Sequence, residues 1–150
     1  MKKFKFSLDS VLSYKEQVLD SLKIEHAAIV AQVRTQEKVL EAVWQEYRDC
    51  DAEYSQRKAE GMTISDALVY QNGLRVLERD IQRETDKLDE LRKKEEAKRQ
   101  EVVNAKIDTS SIEKLKEKKL DLYNKEVAKS EEVLIDEFVS SARARANIGA

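Results

Sequence analysis

The chain has 150 residues, of which 39% are charged and 41% hydrophobic, and its formal net charge is −2. Ordinary globular domains carry roughly 25% charged residues, so this composition predicts a large surface and a thin core. The near-neutral charge gives no general reason to bind DNA or an acidic membrane. No segment approaches the roughly 20 apolar residues that span a bilayer, and the basic start lacks the apolar core of a signal peptide.

The first part of the chain predicts one long coiled-coil helix, from about residue 7 to residue 60. Proline is absent, and glycine occurs at only three positions. Apolar residues recur in alternating steps of four and three, which is the coiled-coil repeat of about 3.5 residues. This first core stripe comprises Leu8, Leu12, Lys15, Leu19, Leu22, His26, Ile29, Val33, Gln36, Leu40, Val43, Tyr47, Cys50 and Tyr54.

A glycine-centred interruption follows the first stripe. Gly61 can take the left-handed conformation that ends a helix. Thr63 or Ser65 can cap the next helix, and Thr63 and Asp66 have the spacing of a capping box. A short connection makes two long amphipathic helices antiparallel neighbours. The sequence therefore predicts an all-α fold, a single antiparallel coiled-coil hairpin over residues 1–150 with its tip at 61–65.

A second stripe predicts a longer second helix, from about residue 66 to about residue 144. Its positions are Leu74, Leu77, Ile81, Glu84, Leu88, Leu91, Glu95, Lys98, Val102, Ala105, Thr109 and Ile112. Ser110 and Glu113 have capping-box spacing and could mark a break, but strong helix formers on both sides favour continuity. A stutter near Lys116 then shifts the apolar row. The shifted row reads Leu120, Tyr123, Val127, Leu134 and Phe138.

The end of the second helix has no predicted partner within the chain. Antiparallel pairing about Met62 exhausts the first helix near residue 117 of the second, and the remainder would extend roughly 40 Å further at about 1.5 Å per residue. An unpaired apolar row favours an external partner. Two alternatives stay open: Met1 to Phe6 fold over part of the row, or the register differs.

Polar residues within the stripes predict register-fixing layers. The single histidine, His26, falls near Glu95 and Lys98 in this register. A metal site needs several ligands, so we interpret His26 as a polar layer that fixes the register at some cost in stability. Gln36 and Glu84 have the same interpretation.

The sequence predicts no catalytic site, metal site or cofactor site. It lacks a nucleophile–base pair, a glycine-rich phosphate loop and a Cys/His cluster. Asp136 and Glu137 point about 100° apart on a helix, which suits paired acid–base chemistry poorly. Cys50 is the only cysteine and falls on the core stripe, so we expect a small buried apolar residue in a reducing compartment.

Four motifs along the chain resemble those of a known family. The N-terminal motif is Phe4-x-Phe6-x-Leu8-x-x-Val11-Leu12-x-x-Lys15, and the approach to the tip is Glu46-Tyr47-Arg48. The second helix starts with Tyr70-Gln71, Leu77-Glu78 and Ile81, and the C-terminal motif is Asp136-Glu137-Phe138 with Arg143 and Arg145. Over nearly its whole length, the chain resembles FliJ proteins, the small coiled-coil components of the bacterial flagellar type III export apparatus.

The resemblance implies a stalk-like, non-enzymatic cytoplasmic protein, monomeric alone and peripheral to the inner face of the membrane at the flagellar base. It implies that the terminal end binds the ring of the export ATPase and promotes its assembly. The matching residues are Leu134, Asp136, Glu137, Phe138 and Arg143. It also implies a tip-proximal contact with the export gate, a membrane protein, and links to export-chaperone recycling. The matching gate residues are Gln36, Leu40, Tyr47 and Leu77, although Tyr47 is alternatively plain core.

Two other classes of protein remain open at this point. One is the equivalent stalk of a virulence-type injectisome, and the other is a generic coiled-coil scaffold that self-associates through its C-terminal row. The N-terminal Phe-x-Phe-x-Leu pattern and Asp136-Glu137-Phe138 favour the flagellar system.

Overall fold

The computed structural model describes residues 2–149, and within them the chain forms two α-helices. Helix α1 spans Asp9–Glu60 and helix α2 spans Ile64–Ile148, with 52 and 85 residues. The helices pack against each other, which confirms the all-α fold with a longer second helix. Residues 1 and 150, which the predicted single domain included, lie outside the described residues, and the single-domain organisation stays a prediction.

Two compact units make up the chain. The terminal unit comprises Met1–Leu19 with Ala105–Ala150, and the tip unit comprises Asp20–Asn104. Each unit contains one segment before and one segment after the connection between the helices, so each has its own interhelical core.

The tip is a turn of three residues between the two helices. Gly61 has a φ of +96°, as predicted for the residue that ends α1. The hydroxyl oxygen of Thr63 accepts a hydrogen bond from the backbone N–H of Asp66 at 3.1 Å. Because Thr63 and not Ser65 is the cap, α2 begins at Ile64, two residues before the predicted start.

Alanine substitutions at two glycines should change stability in opposite directions. Gly61→Ala forces a side chain into a left-handed backbone and should lower the free energy of unfolding by about 1 kcal/mol. Gly73 lies inside α2, and a Cβ added there meets no atom within 4 Å. Gly73→Ala should therefore raise the free energy of unfolding by up to about 1 kcal/mol, because alanine has the higher helix propensity. Urea unfolding of both variants measures the two changes, and changes of equal sign would contradict this account.

The core of the tip unit lies along the predicted stripes. Tyr54 stacks on Tyr70 with ring centroids 5.4 Å apart, while the Gln36 side chain bonds to Glu84. Tyr54 in α1 meets residue 70 of α2, whereas Gln36, earlier in α1, meets residue 84, later in α2. The two helices therefore run antiparallel. The most buried apolar side chains of this unit are Tyr54, Ile81, Leu88 and Val102. Every other stripe position in this unit is at least half-buried, as the periodicity predicts.

Helix α2 continues through the segment where a break was possible. The hydroxyl of Thr109 donates to the carbonyl of Ala105 at 2.8 Å, and that of Ser111 donates to the carbonyl of Ile107 at 2.9 Å. These hydroxyls bond within the helix and do not cap a new one. The prediction of continuity is confirmed.

The terminal unit begins with a non-helical segment that precedes α1. The N–H of Asp9 bonds to the carbonyl of Phe6 at 3.1 Å, and α1 starts at Asp9, later than the predicted residue 7. Lys116 Nζ lies 2.8 Å from the carboxylate of Asp9. The start of α1 therefore faces α2 near residue 117, as the predicted register requires. Phe6 and Leu12 are the most buried apolar residues of this unit.

Candidate partner-binding surfaces

The C-terminal end of α2 exposes the apolar row that the sequence left without a partner. All residues from 128 to 149 are exposed. Leu134 is 62% exposed and Phe138 is 75% exposed. Further exposed apolar side chains in this stretch are Val133, Ile135, Val139 and Ile148. Exposed apolar side chains concentrated in one stretch mark an interaction site more often than ordinary surface.

The five candidate ATPase-binding residues do not share one helix face. Leu134 and Phe138 are four residues apart and therefore neighbours, with Glu137 beside them. Asp136 and Arg143 point to the opposite face, because successive helical residues turn by about 100°. Arg145 shares the Leu134 face, and a helical projection of the sequence would have identified it.

A shallow groove of about 560 Å³ borders the row. Its lining residues are Glu126, Lys129, Ser130, Val133, Leu134 and Glu137. The lining combines the apolar side chains of Val133 and Leu134 with charged side chains of both signs, and protein interfaces likewise combine an apolar core with a polar rim.

Residues 2–6 cover the start of the shifted row, as one alternative proposed. The ring of Phe4 lies 5.6 Å from the ring of Tyr123, and the Tyr123 hydroxyl donates to the Lys2 carbonyl at 2.6 Å. Phe6 is 5% exposed. Tyr123 and Val127 are half-buried, whereas Leu134 and Phe138 lie beyond this cover. The N-terminal segment therefore covers the part of the row around Tyr123, and the part around Leu134 and Phe138 stays available for an external partner.

A polar layer in the tip unit holds the candidate gate residue Gln36. Its amide donates to the carboxylate of Glu84 at 2.6 Å and to the backbone carbonyl of Glu84 at 3.0 Å. The hydrogen bond from Gln36 lowers the pKa of Glu84, and Lys87, 3.3 Å away, adds to this against the opposing effect of burial. Glu84 is thus a buried carboxylate whose charged form is favoured by its partners.

Glu84 should make stability depend on pH in the acid range. Its pKa in the folded chain lies below the ordinary value of 4.5, so its charge stabilises the fold above that pH. The stabilisation is lost as pH falls through the lowered pKa. Glu84→Gln should therefore destabilise the protein more at about pH 7 than at about pH 3. Urea unfolding at both pH values tests this against Glu90→Gln, an exposed control in the same helix; a difference independent of pH would contradict it.

A second polar layer contains His26. Its Nε2 lies 2.8 Å from Glu95 Oε1, and both side chains are 25% exposed. Lys98 pairs with Glu25 at 2.9 Å and with Glu101 at 2.8 Å. The predicted approach of His26 to Glu95 is confirmed, and the register-fixing role of this layer stays a prediction.

The remaining gate candidates lie along the interhelical stripe. Leu40, Tyr47 and Leu77 are half-buried, so each has a packed side and an accessible side. Burial raises the pKa of Tyr47, and the carboxylates of Glu78 and Asp51 raise it further. Trp44, which sequence reasoning missed, is 40% exposed and meets Tyr47 edge to face with ring centroids 5.8 Å apart. Trp44 directly follows the stripe residue Val43, and this position could have identified it from the sequence.

Residues 2–149 contain no group of three or more His, Cys, Asp or Glu side chains arranged to hold a metal ion. Neither of the two described helices has an apolar stretch long enough to cross a membrane.

Comparison with known proteins gives one family. The family described as Flagellar FliJ protein matches residues 4–147, which is nearly the whole chain. No curated protein and no solved structure is similar enough to the chain to count as a match.

Proposed function

The chain belongs to the FliJ family and is a component of the flagellar export apparatus, and from this premise we propose that the C-terminal end of α2 binds the export ATPase. In this role the protein promotes assembly of the ATPase ring and performs no catalysis itself. The observation that carries the proposal is the exposed row around Leu134 and Phe138.

Burial of this row against a partner would release free energy on binding. Fully burying a Leu or Phe side chain is worth about 1.5–3 kcal/mol. Two such anchors one turn apart fit the way in which an amphipathic helix enters an apolar groove. Glu137 on the same face adds orientation and affects the association rate.

A second contact belongs to the tip unit in this proposal. Gln36, Leu40, Tyr47 and Leu77 would meet the export gate through their accessible sides, and Trp44 enlarges the aromatic part of this surface. The family resemblance supports this contact, together with a cytoplasmic position at the inner face of the membrane and a part in export-chaperone recycling. These side chains are half-buried, whereas Leu134 and Phe138 of the terminal row are exposed.

Removal of residues 129–150 tests the proposed function. The purified variant should lose binding to the flagellar export ATPase and lose any stimulation of its ring assembly. Circular dichroism and thermal melting should show that the remaining helices are intact. Undiminished binding would transfer the ATPase contact to the tip-proximal surface around Tyr47 and Leu77.

Sedimentation separates the alternative classes of protein. We expect the full chain to be monomeric alone and to sediment with the ATPase when mixed with it. Concentration-dependent self-association without ATPase binding would favour a generic scaffold. Preference for an injectisome ATPase over the flagellar one would favour the virulence-type system.

A further inference from the structure

The N-terminal segment, residues 2–8, is fixed on α2 of the terminal unit. Phe6 is 5% exposed, and its carbonyl accepts the N–H of Asp9. The Tyr123 hydroxyl bonds to the Lys2 carbonyl at 2.6 Å, while Phe4 packs on the Tyr123 ring. Ring packing and backbone bonds hold this segment, so its lysine side chains are not needed for its attachment.

Three lysines of this segment face solvent. Lys2, Lys3 and Lys5 are exposed, and residues 2–8 contain no carboxylate. Burial alternates along this segment: Phe4 is half-buried and Phe6 is buried, whereas Lys3 and Lys5 are exposed. The whole chain has a formal charge of −2, so this positive charge is a local feature. We call Lys2, Lys3 and Lys5 the lysine cluster.

Neighbouring cations of α2 add to the positive charge. Lys116 Nζ lies 6.0 Å and Lys119 Nζ lies 5.9 Å from the centre of the Phe6 ring. The Asp9 carboxylate offsets Lys116 through the ion pair at 2.8 Å. Lys119 therefore contributes its charge to the same region as the lysine cluster.

The lysine cluster borders a concave surface next to the exposed row. The concavity has a volume of about 820 Å³, and Phe4 and Tyr123 provide its aromatic part. Glu126 lines both this concavity and the groove beside Leu134. The two surfaces are therefore continuous, and one partner can cover both.

We infer that the lysine cluster is a second half of the terminal binding surface and takes an acidic segment of the protein that binds the exposed row. This inference rests on the proposed function, which supplies that protein as the export ATPase. Complementary charge at the edge of an interface steers association and fixes orientation more than it adds affinity. Because its backbone is held, binding a partner orders only the lysine side chains and not the backbone that carries them.

The experiment compares two triple variants with the same change in net charge. Lys2→Gln, Lys3→Gln and Lys5→Gln neutralise the cluster and leave Phe4, Phe6 and the Lys2 carbonyl in place. Lys38→Gln, Lys93→Gln and Lys94→Gln neutralise three exposed lysines of the tip unit as the control. Association with purified flagellar export ATPase is followed by biolayer interferometry between about 0.01 and about 0.15 M salt, where the screening length falls from about 30 to about 8 Å.

The cluster variant should associate at least about tenfold more slowly at low salt and lose most of the salt dependence. The control should associate like the parent protein. Equal slowing of both triples, or no slowing of either, would overturn the inference. If Phe138→Ala weakens binding while the cluster variant associates normally, the proposed function stands and the inference fails.

A second probe separates the lysine cluster from the identity of the partner. Nuclear magnetic resonance titration with a short poly-glutamate peptide should shift the amide signals of residues 2–6 in the parent protein and not in the cluster variant. These shifts without any ATPase binding would support the acidic ligand class and refute the proposed function. Stronger shifts with DNA of equal charge would overturn the choice of an acidic protein segment.

Discussion

Phe138→Ala should weaken binding of the export ATPase by about 30-fold, corresponding to about 2 kcal/mol. Phe138 is 75% exposed and has Leu134 as its neighbour one turn away on the same helix face. Large apolar anchors at the centre of an interface commonly carry costs of this size. Isothermal titration calorimetry with the purified ATPase measures the change directly.

The matched control for this prediction is Ile107→Ala. Ile107 is 59% exposed on the same helix, outside the exposed C-terminal row, and should leave the affinity unchanged. Neither variant should alter helicity or melting temperature, because neither side chain is buried. Equal affinities of the two variants would show that the row is not the ATPase contact.

Leu88→Asp should lower the free energy of unfolding by about 3–5 kcal/mol. Leu88 is 4% exposed in the interhelical core of the tip unit. The substitution removes a large apolar contact and buries a carboxylate without a partner. Urea unfolding followed by circular dichroism measures the loss.

Val76→Asp provides the comparison for Leu88→Asp in the same helix and unit. Val76 is 54% exposed, so its new carboxylate stays hydrated and should cost less than about 1 kcal/mol. Leu40→Asp should fall between the two, because Leu40 is half-buried. Similar costs for Leu88 and Val76 would mean that the stripes do not form the core.

Much of the fold follows from local signals in the sequence. The coiled-coil repeat placed Leu12, Tyr54, Ile81 and Leu88 in the core, and all four are buried. Such predictions succeed because burial on a helix follows the turn of the helix itself. Helix ends were less accurate, since Thr63 and Ser65 offered equivalent caps and only one forms the bond to Asp66.

Other features required tertiary contacts that no local signal specifies. Gln36 was a candidate gate residue, and its amide nitrogen bonds to Glu84 across the core, which leaves only its accessible side for a partner. A side chain that can bond either to a partner protein or within the fold is assigned only when its neighbours are known.

The sequence by itself determined two helices, their stripes and the glycine at which the first helix ends. Tertiary structure decided where the paired part of the chain stops. Phe4 and Phe6 pack on the region around Tyr123, and the row from Leu134 to Phe138 stays exposed. The reason is physical: periodicity records which residues avoid water, whereas the surface that excludes the water is supplied by residues more than one hundred positions away.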